Sequence, residues 1–347
     1  MSRLPSLASL ACFLLAGALG IVSLLTVTPA LAQPKVDAFV SGLHLPLGIT
    51  TDYTRKAIYV AEGGEGRVIQ IDSGKPVPVI VGFPRGPYGP NNSLQVGPSS
   101  IRVVGNLSLA SIDVGAPQGW DSVVVHSLPE SGKPAVEYAT STARLGPMAP
   151  RTASRPAGSF SALGTAVYSM VFTSVGDEPQ GLLYRALMTN NKWNAATRFV
   201  ATREAVGAGN PSALLTTSRG EVLVGQSGSL DQPGDSLISY YQLGTGRLLL
   251  NQSTGLHDIV SLAQSPATDQ LYALDLAWGR PADAGLYQLI SEFKQGRLGV
   301  TAKKIVSLPR PVDMTFAPDG RLLVTVLGPA DADPKTSGQV LAISGGL

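Results

Sequence analysis

His257 and Asp258 stand side by side, and Asn210 and Asp313 are the other polar residues whose placement suits chemistry. A histidine beside a carboxylate is the pattern of a general base held in orientation, because imidazole changes charge near neutral pH and a carboxylate can fix its proton. Asn210, Asp258 and Asp313 all carry oxygen, and a hard divalent cation such as calcium takes six or more oxygens. The same residue types have a purely structural use, since Asp and Asn at strand entrances cap turns and accept backbone amides. His44 precedes another strand and could face the same entrance. His126 falls in an outer strand, and Glu62 closes the stretch YVAE, where it is read as facing a loop.

Other chemistries find no support. Gly225, Gln226, Ser227 and Gly228 approach a nucleophile elbow but lack its second spacing and its following helix. No phosphate loop, dinucleotide fingerprint or paired-histidine zinc motif occurs. Asp331 and Asp333 imitate the start of a calcium loop, yet Lys335 and Thr336 occupy places that need an oxygen ligand and a glycine. Asn91, Asn106 and Asn251 begin glycosylation sequons, and Trp120, Trp193 and Trp278 could each stack on a sugar or peptide or pack between strands.

The elements that must position these residues recur along the chain. A small or proline-led strand, a turn, an aliphatic strand, a loop and a glycine-led strand appear about six times, from PLGITTDYTRKAIYVAEGGEGRVIQI (Pro46 to Ile71) to PVDMTFAPDGRLLVTV and SGQVLAI (Pro311 to Ile343). Inner strands are expected near Leu47 to Thr51, Ser99 to Val104, Ala157 to Leu163, Ser212 to Thr217, Ile259 to Gln264 and Val312 to Ala317. The β-branched runs bounded by Gly, Asp and Pro exclude a helical reading. The period of roughly 45 to 60 residues suits four-stranded blades. The expected fold is all-β, a six-bladed β-propeller of antiparallel blades. Val36 to Val40 has no partner upstream and is expected to close the ring beside Gln339 to Ile343, removing a free edge. Residues 141–158, rich in Pro, Ala, Arg and Ser, read as an exposed loop insertion. In this register Gly48, Ser100, Ala213, Ser261 and Asp313 face the channel, and only one of them is charged.

Residues 1–32 read as a signal peptide. Arg3 is the only charge before Lys35, Leu4 to Val27 is almost continuously apolar, and Ala30, Leu31 and Ala32 form a small-residue cleavage site. The expected location is secreted or periplasmic, or membrane-anchored if the segment stays uncleaved. Residues 33–347 are then a single domain, expected to be monomeric. Cys12, the sole cysteine, lies inside the leader, so the mature chain has neither disulfides nor thiolates. With 26 basic and 24 acidic residues and no basic stripe, the footprint of a nucleic-acid binder is missing. The 39 glycines and 26 prolines beside 44% hydrophobic residues describe short strands and turns rather than disorder.

The phrases GLHLPLGIT with IYVAEGGEGRVIQID, NPSALLTTSRGEVLVGQSG, and RPVDMTFAPDGRLLVTVLG with SGQVLAIS resemble, in blade order, the secreted propellers of the ScyD/ScyE type. More broadly they resemble NHL, SMP-30 and strictosidine-synthase-like propellers. The chain departs from the pattern at Asp52, Tyr53, Thr54 and Arg55, where a proline-aspartate-glycine turn is usual, and at Ser261, where an Asp is frequent. The resemblance implies export and a propeller. An SMP-30-type lactonase would imply an oxygen cluster on a divalent cation, for which Asn210, Asp258 and Asp313 are the candidates. A quinoprotein sugar dehydrogenase would imply a catalytic histidine, for which His257 is the candidate. Small, neutral channel residues point instead to a binding or interaction module without an assembled catalytic site, engaging a protein, peptide or glycan at its loop face, with no cofactor. A channel-centred lactonase or sugar oxidoreductase is the alternative.

Overall fold

The computed structural model describes residues 33–347 except 90–92, 106, 116–119, 149–158, 176–180, 230 and 295. The expected signal peptide (residues 1–32), Asn91, Asn106 and the second half of the expected loop insertion therefore lie outside the described residues. Six antiparallel sheets form the six blades of a β-propeller. The inner strands are Pro46–Asp52, Pro98–Val104, Ser159–Ala166, Pro211–Thr216, Ile259–Gln264 and Pro311–Phe316. Each packs against the inner strands of the blades on either side, and the last against the first. The N-terminal strand Lys35–Leu43 pairs antiparallel with Gly338–Ser344 and completes the sixth blade, as the unpartnered run at Val36 to Val40 predicts.

The core is distributed between the blades. Leu323, Val340 and Ala342 pack on Ile49 and Val60 where the sixth blade meets the first. Comparable apolar clusters fill every other blade interface, the largest being the aromatic group Phe160, Phe172 and Tyr184 between the second and third. Burying each such Val, Leu, Ile or Phe contributes roughly 1.5–3 kcal/mol, which lets the ring hold without disulfides. Trp193 packs partly buried in the interface of the second and third blades, whereas Trp120 and Trp278 are exposed.

The start of the expected loop insertion differs from expectation. Ala143–Leu145 forms the fourth strand of the second blade, pairing with Ser122–Ser127, so the stretch begins as blade rather than loop. Its Ala143 and Leu145 alternate inward around Arg144, a period of two that the surrounding Pro and Ser conceal. Just before it, Val136–Glu137 adds in parallel to the outer strand of the first blade, Lys75–Val81, and locks the two blades together. A short hairpin, Gly86–Tyr88 with Leu94–Val96, joins the first blade to the second at the channel mouth.

Candidate functional site

Every inner strand carries one extra residue near its start. The pairing slips by one between Pro46 and Ile49, Pro98 and Ile101, Phe160 and Leu163, Pro211 and Ala213, Ile259 and Ser261, and Pro311 and Asp313. A bulge bends a strand and redirects its side chains, and six equivalent bulges turn the ring inward at one level. That level holds Gly48, Ser100, Ala162, Ala213, Ser261 and Asp313. Of these, Ser100, Ala162, Ser261 and Asp313 line the channel cavity, whereas Ala213, expected to face the channel, is buried between the fourth and fifth blades and Gly48 abuts the second. Gly48 is required by packing, since a Cβ there would stand 2.8 Å from the Ile101 nitrogen and 2.9 Å from the Ser100 Cα.

Asp313 is the hub of the channel. Its Oδ2 accepts hydrogen bonds from the Ile49 amide at 3.0 Å and from Arg102 Nη1 at 2.9 Å. Its Oδ1 accepts from Ser261 Oγ at 2.7 Å, from its neighbour Met314 N at 2.9 Å and from Arg102 Nη2 at 3.4 Å. Arg102 also donates to the carbonyls of Ile101 and Ile49. The carboxylate is thus bound on both oxygens, and its countercharge is a guanidinium supplied by the second blade. Such forked pairs are shorter and stronger than neutral hydrogen bonds.

Serines continue the ring. Ser161 Oγ donates to the Pro211 carbonyl at 2.9 Å, and Ser212 Oγ, one blade on, donates to the Ile259 carbonyl at 2.5 Å. The equivalent position of the fifth blade is Val260, and there Ser261 reaches Asp313 instead. Polar side chains facing the channel therefore tie each of these blades to the next.

Above the Arg102–Asp313 pair lies a cavity of about 230 Å³. Its floor is Ser100, Ser161, Ser212 and Ser261, and its walls include Tyr88 and Leu94 of the hairpin, and Leu276 and Trp278 of the fifth blade. On the far side, Arg102 also lines a second cavity of about 190 Å³ with Tyr53, Thr165 and Thr216. Arg102 therefore stands between the two ends of the channel. Burial, with smaller contributions from the carboxylates of Asp121 and Asp313, pushes the Tyr88 phenol up to about 12, so it stays a neutral donor.

The structure separates the residues that the sequence groups. Asp313 lines the cavity, whereas Asn210 and Asp258 are not among its lining residues. Asn210 is exposed, and its carbonyl accepts the Ser227 amide. Asp258 Oδ2 accepts the Trp278 amide at 2.8 Å, and its carbonyl accepts the Leu276 amide at 3.0 Å. Its carboxyl pKa is raised by burial. Asp258 is thus a capping group that holds the loop carrying Trp278 to the cavity. Among the described residues, no three of His, Cys, Asp and Glu are placed to share a metal.

His257 does not face Asp258. Its Nε2 lies 3.4 Å from Asp283 Oδ2, and its Nδ1 accepts the Gly234 amide at 3.0 Å. With both ring nitrogens engaged, the imidazole has no free lone pair for a substrate proton. It lines a separate groove with Asp283 and Tyr287. Adjacency in sequence misleads here because alternate residues of an extended chain point to opposite sides.

Two residues central to the site, Arg102 and Asp275, are ones that sequence reasoning passes over. Arg102 is the only basic residue in any of the six inner strands, a signal available in PSSIRVV. Asp275, wholly buried, accepts the amides of His257, Asp258 and Ala277 and so anchors both arms of the fifth-blade mouth. Glu62 occupies the corresponding place in the first blade, accepting the His44 amide at 2.9 Å and Arg67 Nε at 2.7 Å. The reading of Glu62 as a residue facing a loop agrees with this strut.

Comparison of the sequence with protein families and with curated proteins returns no match. Comparison of the fold finds a gluconolactonase from Xanthomonas campestris, with a TM-score of 0.57 and 12% identity over 91% of this chain and 90% of that one. A luciferin-regenerating enzyme is similar at a TM-score of 0.58, with 11% identity over 90% of this chain and 95% of that one. At these identities the likeness is one of fold. Among the described residues no helix is long and apolar enough to cross a membrane.

Proposed function

We propose that this chain is an exported, non-catalytic β-propeller that binds one small organic molecule in the cavity over its channel. The carrying observation is the Arg102–Asp313 pair: the one carboxylate among the lining residues is bound on both oxygens, beneath walls of Tyr88 and Trp278. A concave site lined by apolar and aromatic side chains with a few convergent polar groups is the usual form of a small-molecule site. The volume of about 230 Å³ is below the roughly 300 Å³ of sites for drug-sized ligands, so the occupant is small. Export is supported by the apolar leader with its small-residue site. The ScyD/ScyE-type resemblance of the repeats is consistent with both parts.

A divalent cation does not fit the channel residues as they stand. Five hydrogen bonds already saturate Asp313, two of them from a guanidinium that would have to leave. Asn210 and Asp258 do not line the cavity, and the Asp258 carboxylate accepts the Trp278 amide.

The test is a screen of small sugar acids, lactones and aromatic acids for compounds that raise the melting temperature. The shift should persist in Trp120→Ala and disappear in Trp278→Ala, both of which alter exposed side chains. Shifts indifferent to Trp278 would place the ligand elsewhere and overturn the reading.

A second reading, lactone hydrolysis, is supported by the name of the Xanthomonas propeller. Under it Asp313 would have to exchange Arg102 for a cation or act as a base. Its test is acid release from D-glucono-1,5-lactone in a pH-stat, with and without calcium; turnover lost in Asp313→Asn would favour it.

A further inference from the structure

Among the described residues, the cavity carries a positive charge with no countercharge. Its charged lining residues are Arg102, Arg310 and Asp313. Arg102 is consumed by Asp313, whereas Arg310 makes no ion pair or side-chain hydrogen bond among the described residues. Arg310 has a φ of 53°, a left-handed conformation that costs a non-glycine residue of order 1 kcal/mol, and Leu327 N holds it there by donating to the Arg310 carbonyl at 3.1 Å. Strain of this kind is retained where surrounding structure fixes a residue in one place, and here the place is the cavity rim. A second observation comes from the floor. Ser100 is only 5% exposed, yet its hydroxyl finds no partner among the described residues. The phenol of Tyr88 is likewise without a hydrogen bond there, and it remains protonated as a donor. An unpaired guanidinium, two free hydroxyls and the exposed ring of Trp278 converge on one small space.

We infer that the ligand is a small organic anion, a ring-bearing carboxylate, with its carboxylate on Arg310 and its ring against Trp278 and Tyr88. This rests on the cavity being the binding site proposed above. A planar guanidinium presents a fork of donors matched to a carboxylate, and hydroxyl donors suit the same acceptor. Arg102 cannot serve this role without stranding Asp313.

The experiment is isothermal titration of the full-length mature protein with 2-naphthoate and with its neutral amide, 2-naphthamide. Native protein should bind the carboxylate at least about tenfold more tightly, a difference of about 1.4 kcal/mol. Arg310→Gln should lower naphthoate affinity to that of the amide and leave amide affinity unchanged, which separates charge recognition from loss of fold. Arg310→Lys should retain part of the preference. Equal affinities in the native protein, or a preference that survives Arg310→Gln, would overturn the anion assignment while leaving the cavity as a binding site. Absence of binding by both probes would overturn the two readings together.

Discussion

The guanidinium of Arg102, on the second blade, lies 2.9 Å from the carboxylate of Asp313, on the sixth. One ion pair therefore reaches past the first blade and joins strands that are not neighbours in the ring. Both side chains are largely buried, with relative exposures of 19% and 10%. Breaking a buried pair from one side leaves an uncompensated charge, which is why its removal costs more than the pair is worth. Arg102→Met should destabilise the fold by about 3–5 kcal/mol in urea unfolding, and Asp313→Leu by a similar amount. The double replacement should cost clearly less than the sum, with a coupling of about 1–3 kcal/mol. Additive costs would mean the two groups do not depend on each other.

Gly48 reports on the closeness of the first and second inner strands. Gly48→Ala would press a methyl against backbone atoms of Ser100 and Ile101 and should cost about 1–3 kcal/mol. Gly279→Ala, where no atom lies within 4 Å, should stay within about 0.5 kcal/mol of the native protein. Equal melting temperatures for the two variants would show that the strands can part.

Much of the architecture was legible because burial imposes a period. The inner run Ile259 to Gln264 matches the observed strand, and the unpartnered residues Val36 to Val40 foretold the closing strand. Sequence patterning also placed Gly48, Ser100, Ala213, Ser261 and Asp313 at one level, because each blade repeats the same bulge. Partnership was not legible. Arg102 and Asp313 are 211 residues apart, and which pair meets depends on how two bulged strands curve around a third. His257 and Asp258 were grouped for adjacency, and the backbone sends them to Asp283 and to the Trp278 loop. The outer strand Ala143–Leu145 was hidden by its length of three residues and the prolines nearby.

Asp121 gives the fold a pH dependence of its own. Burial lifts its carboxyl to about 6, against the pull of the Gly115 and Phe160 amides that it accepts. Its folded pKa is above the unfolded value near 3.8, so the native state holds this proton more tightly. The contribution is full below about pH 4 and is lost as pH rises through 6, an effect of about 3 kcal/mol. In urea unfolding from pH 4 to 7, Asp121→Asn should therefore gain stability relative to native protein as pH rises. A difference independent of pH would contradict this assignment.

Asp258 should act on the cavity through Trp278. Its carboxylate receives the Trp278 amide, so Asp258→Ala should free the loop at a cost of about 1–3 kcal/mol. In a background with Trp120 and Trp193 replaced by Phe, acrylamide should quench Trp278 more readily after this change. Unchanged quenching would show that Leu276 and Ala277 hold the loop unaided.

Arg102 serves as the resident cation of Asp313, and the proposed binding role depends on that pairing. Elemental analysis of the dialysed protein, residues 33–347, tests this most directly. The expected result is no divalent metal in stoichiometric amount, in native protein and in Asp313→Asn alike. One equivalent of calcium or another divalent metal in the native protein, lost in Asp313→Asn, would contradict it.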